Sequence, residues 1–150
     1  MAAEIVDVAK AVLAACEAAY GSEYIVKRAW SVKTLWSDFG TTSEHDSKQL
    51  RLFVVPIEAP RSELTRGYEE VRPAVSLCVC RKTDEQCDQD DVVSRAVAIL
   101  KDQRRATFTT DSGTAKVTTA DHVPVSLELL EKGITASLIR LTMRMEIAHA

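Results

Sequence analysis

The stretch Thr109 to Val117, TTDSGTAKV, holds the residues that look most able to do chemistry. Asp111-Ser112-Gly113 has the form of the triplet that presents a catalytic carboxylate in aspartic proteases, and a chain of 150 residues could be one half of a dimeric enzyme. That chemistry needs a second aspartate to share a proton. It also needs an apolar strand running into the loop and an apolar shell. Thr109 and Thr110 stand where the apolar strand end is required, and the downstream hydrophobic-Gly element is missing, since Gly133 sits in EKGIT. A tight turn explains the same residues. β-Branched runs flank the triplet, Asp and Ser can bond their own backbone, and glycine takes a conformation other residues avoid. The reading adopted is therefore a hairpin, Thr107 to Thr110 and Thr114 to Thr119, whose tip is exposed and available to a neighbouring subunit.

Other candidates fail on their companions. Asp38-Phe39-Gly40 has the letters of the kinase metal-binding motif, without a glycine-rich loop or a catalytic-loop signature. The acids of DEQCDQDD (84–91) lack the central glycine and terminal glutamate of a calcium loop. They suit a helix start instead, with Asp88 as N-cap and Asp90 and Asp91 in the first turn. His45, His122 and His149 are scattered. Cys78 and Cys80 form a C-x-C pair with no second pair or histidine at zinc spacing, so Cys16, Cys78, Cys80 and Cys87 are read as free thiols. No catalytic, cofactor-binding or metal-ligating residue is assigned, and the chain is expected not to be an enzyme.

Composition frames these exclusions. One domain of this length holds a core without staples. No apolar run approaches the ~18 residues that cross a membrane. Glu4 and Asp7 replace the basic region of a secretory signal, so use without export is expected. The formal net charge is -3 with both signs well mixed, which argues against a basic face reading duplex DNA.

The elements follow from periodicity. A helix is expected over Ala3 to Ala19, with Ile5, Val8, Val12, Cys16 and Ala19 on one face. Glu23 to Trp30 reads as a strand, and residues 31–48 as a loop carrying Trp36 and Phe39. A strand over Gln49 to Pro56 is expected to close at the proline. Residues 57–70 read as a long polar connection. Val71 to Cys80 alternates cleanly, with a second face small enough to be covered too. A helix over Asp90 to Arg104 presents Val93, Ala96, Val97 and Leu100. VSLELLEK stays open between strand and short helix. The last strand alternates Ile139, Leu141, Met143, Met145 and Ile147 with Arg140, Thr142, Arg144 and Glu146. The order predicts an α+β domain, a mainly antiparallel sheet with two helices packed on one face, plus a β-hairpin.

This pattern resembles the tail terminator (tail completion) proteins of long-tailed phages. The residues that carry it are YIVKRAW after the first helix, LRLFVVP, the polar loop holding LTRGYEE, VRPAVSLCVCRK, the helix DVVSRAVAILKDQ and the closing SLIRLTMRMEI. The resemblance implies a virion protein of the tail or neck, assembled in the host cytoplasm. It implies a hexameric ring that caps the tail tube, ends its growth and docks on the head-side connector, with DNA passing through unread. Arg66 stands where such proteins often carry a loop arginine. A ring needs heterologous contacts that close, for which the candidates are Glu58, Arg61, Glu63, Arg66, Glu69, Glu70, Asp111, Arg140 and Arg144. The plainer reading of these charges as a solvated face stays open. So do a head-completion or connector protein of the neck and a small α+β enzyme or ligand-binding domain.

Overall fold

The computed structural model describes residues 3–30, 50–83 and 89–148, with residues 64 and 65 described in their backbone alone. The expected loop with Trp36 and Phe39, the Asp38-Phe39-Gly40 triplet, the Asp88 cap, Cys87, His45 and His149 lie outside the described residues.

The chain is an α+β domain. In order, the elements are α1 (Glu4–Tyr20), β1 (Ile25–Arg28), β2 (Arg51–Glu58), β3 (Arg61–Thr65), β4 (Tyr68–Val71), β5 (Ala74–Lys82), α2 (Gln89–Gln103), β6 (Thr107–Thr110), β7 (Gly113–Val123), α3 (Leu127–Glu131) and β8 (Ile134–Ala148). The 15-residue β8 is the spine of the sheet. On one side its Ile134 to Thr142 pair with β5, and its Met145 to Ala148 pair with β4. On the other side β7 covers Leu138 to Arg144. β2 pairs antiparallel with β5, while β1 joins β2 in parallel.

The polar connection expected over 57–70 is instead folded. β3 and β4 form a hairpin turning on Arg66-Gly67, where Gly67 holds φ at 106°. Only glycine adopts that region without strain. This hairpin continues the β2–β5 pair past a break, bridged by the Arg72 amide on the Pro60 carbonyl at 2.9 Å. Pro56 does not end β2. It pairs with Val75 beyond Val54, the last residue β1 covers, and the register shifts directly after it. A proline is tolerated where a strand has lost its neighbour or bulges.

One sheet face carries Leu52, Val54, Val75, Leu77, Val79, Ile139, Leu141 and Met143, all buried with Val8, Val12 and Cys16 of α1 and Val92, Ala96 and Ile99 of α2. Alternation along each strand sets this face, and the 3.6-residue period of each helix supplies the facing stripe. The stripe of α2 is turned slightly from the expected one: Val93, Val97 and Leu100 are only half-buried. Ala19 of α1 is exposed, so that stripe ends at Cys16. The opposite sheet face has its own small core of Phe53, Val55, Cys78, Cys80, Ile134 and Ala136, closed by Leu129 of α3. VSLELLEK thus resolves as a short helix, with Ser126 as a cap accepting from the Leu129 amide.

Candidate functional site

The second sheet face changes character along its strands. Past Phe53 and Cys78 it becomes polar, because alternation now delivers Ser76, Arg140, Thr142, Arg144 and Glu146 to it. The candidates Glu58, Glu70, Arg140 and Arg144 meet here. Arg140 donates to Glu58 at 2.8 Å, and Arg144 bridges Glu70 at 3.2 Å and Glu146 at 3.1 Å. Arg72 also donates to Glu70 through Nε. Glu70 is only 4% exposed. The Arg72 hydrogen bond, followed by the Arg144 charge, holds its carboxyl below the ordinary range. A carboxylate under strands survives when cations answer it. Beside this ladder an open groove of about 690 Å³ is lined by Thr114, Lys116, Val117, Thr118, Arg144 and Glu146. Lys116 faces Arg144 directly across the β7–β8 ladder.

Other candidates fall on the helix side of the same end. Arg61, opening β3, forks onto both carboxylate oxygens of Glu4 at 2.8 Å and donates through Nε to Glu69 at 2.7 Å. The fork lowers the Glu4 carboxyl and raises the guanidinium. It ties the first turn of α1 to the hairpin, where an anion is also favoured by the helix dipole. Glu63 is exposed on β3, and Arg66 is exposed at the hairpin turn.

Asp111 stands apart on the opposite flank, in a two-residue turn between Thr110 and Gly113. It is exposed, as expected for a tip. The turn is stitched differently from the expectation. Thr110 Oγ1 accepts from the amides of Ser112 and Gly113 at 3.1 and 3.2 Å, and Ser112 donates from its hydroxyl to Asp7 of α1. An open groove of about 260 Å³ between α1 and this turn is lined by Asp7, Lys10, Ala11, Thr109, Thr110 and Asp111.

Glu4 and Lys116 belong to these clusters without having been singled out from the sequence, whereas Arg72 and Glu146 fall in the charged stretch and strand face that the sequence offered for contacts. The period-two pattern of β8 already placed Glu146 beside Arg144 on one face. Nothing local signalled Glu4, whose partner lies 57 residues away.

Two further polar groups lie elsewhere. His122 Nε2 is 2.7 Å from the hydroxyl of Ser137, which is fully buried in β8 and so closed to a substrate. Burial pushes the Cys16 thiol up to about 11, which suppresses the nucleophilic thiolate. Among the described residues no group of three or more His, Cys, Asp or Glu side chains is placed to hold a metal ion. No helix among them is long and apolar enough to cross a membrane.

No family model matches the chain, and no curated protein matches it. Among solved structures 16 chains match. One of them, whose name states no function, aligns over 100% of this chain and 98% of its own with a TM-score of 0.51 and 9% identity. That likeness carries the fold alone.

Proposed function

We propose that this chain is a structural virion subunit, a tail terminator of a long-tailed phage that forms a ring on the end of the tail tube. In this role the ring stops tube growth, meets the head-side connector and lets DNA through without reading it. One observation carries the reading. The chain has the architecture its resemblance to that family implied, two long helices on one face of a mainly antiparallel sheet, while the LTRGYEE segment, expected as a polar loop, is a charged hairpin at the sheet's edge. The polar end of the second face supports it. There, cations and carboxylates alternate in near balance, as in a surface suited to protein contacts rather than to a polyanion.

Light scattering over a concentration series, alone and with tail tubes, tests the proposal. The expected result is a species near six times the 16.5 kDa chain mass, free or on tube ends. A chain that stays monomeric in both settings overturns it. So does a peptidase activity that Asp111→Asn abolishes, because the carboxylate would then be chemical rather than part of a turn.

A further inference from the structure

The ring reading leaves open which surfaces of the subunit meet, and the sheet topology addresses that question. At the end of the sheet that holds the charged hairpin the strand order is β3, β4, β8, β7, β6. Among the described residues β3 pairs only with β4 and β6 only with β7, so these are the two lateral edges. Each is short, five residues and four residues. Each leaves a row of backbone donors and acceptors that another strand can complete.

The two edges are matched in direction and height. Four antiparallel steps separate them, so β3 and β6 run the same way. They also end level. Thr65 pairs with Tyr68, which pairs with Ala148, while Gly113, the partner of Thr110, lies against the Glu146 carbonyl near the same end of β8. A neighbour generated by a sixfold rotation about a ring axis has its strands turned by at most about 60° and never reversed. Side by side, β3 of one copy therefore lies parallel to β6 of the next. Arg66, which follows β3, then comes beside Asp111, which follows β6.

The charges agree with this placement. Arg66 and Asp111 are both exposed and opposite in sign. Glu63 shares the helix side of β3 with Arg61, and Lys10 of α1 lines the groove beside Thr109 and Thr110. In the parallel arrangement Glu63 points toward the neighbour's Lys10. The contact uses two different surfaces on opposite flanks, which is the heterologous type that closes into rings. We propose that the occupant of the β6 edge is the β3 strand of a second copy of this chain, with Arg66 of one copy set against Asp111 of the next. This rests on the ring reading above.

The test uses the full chain and light scattering. Arg66→Glu and Asp111→Arg should each raise the concentration needed for assembly at least about tenfold, the scale of one lost charge contact. Both changes in one chain should restore assembly. A second measurement does not depend on charge-reversed chains folding: an equimolar mixture of Arg66→Cys and Asp111→Cys chains should oxidise to a disulfide-linked dimer, and a mixture of Arg66→Cys with Glu128→Cys should not. Rings that persist in both single variants, a double variant no better than the singles, or equal cross-linking in the two mixtures would overturn the edge pairing while leaving the ring reading intact. A wild-type chain that never assembles, alone or on tubes, overturns both.

Discussion

The second face of the sheet has two ends made by the same strands, and they hold together by different physics. At one end Phe53, Cys78, Ile134 and Leu129 exclude water under α3. At the other, Arg140, Arg144, Glu58 and Glu146 satisfy one another in solvent. Apolar burial is worth roughly 25 cal/mol per Å² removed from water, whereas an exposed ion pair contributes about 0–1 kcal/mol. The covered end should therefore carry stability, and the open end is free to carry recognition.

Mutations can break or sharpen that contrast. Phe53→Ala removes a ring that is 2% exposed and leaves a cavity, so it should cost about 3–5 kcal/mol in urea unfolding. A loss under 1 kcal/mol would mean the α3 end is not a core. Glu70→Gln should come next. It leaves Arg72 and Arg144 facing a neutral amide at a nearly buried position, and its melting temperature should fall further than that of Glu58→Gln. Equal losses would make the ladder uniform, with no special role for the buried carboxylate.

A smaller effect is expected from the Arg61 fork. Because Arg61 lowers the Glu4 carboxyl in the folded state, that stabilisation is present above the ordinary value of 4.5 and is lost as pH falls through the lower folded value. Arg61→Ala should flatten the acid limb of a stability-pH curve below about pH 4.5, where wild type declines. An unchanged acid limb would remove the fork from the account. Least of all, Arg140→Ala should change unfolding free energy by no more than about 1 kcal/mol, since both partners are about half exposed. A cost near that of Phe53→Ala would erase the distinction between the two ends.

How far each part was legible in the sequence depends on how many constraints were local. β8 was readable because a single alternation, Ile139 to Ile147 against Arg140 to Glu146, sets its two faces. The covered second face was foreshadowed by the small residues Cys78 and Cys80, which leave room for a layer above. The β3–β4 hairpin was hidden, because an exposed edge hairpin needs no apolar stripe. Its Glu69 and Glu70 are strand residues because Glu63 and Ser62 of β3 flank them on one side and Ile147 and Glu146 of β8 on the other. On α2, apolar residues at 92, 93, 96, 97, 99 and 100 make an arc wider than the contact, so packing against the sheet chose Val92, Ala96 and Ile99.

Periodicity, turn residues and the early acids by themselves determined the two long helices, the character of the long strands and a hairpin turn at Asp111-Ser112, though Gly113, expected as a third loop residue, already pairs with Thr110, because these features rest on neighbours within a few positions. Only the tertiary structure decided the rest. Contacts across 57 and 82 residues placed Arg61 of β3 on Glu4 of α1 and Arg140 of β8 on Glu58 of β2, and the thread of Thr110 hydroxyl and Asp7 carboxylate holds the Asp111 turn against α1. Register is a long-range quantity, and a one-residue slip of β8 would have sent Arg140, Arg144 and Glu146 to the other face.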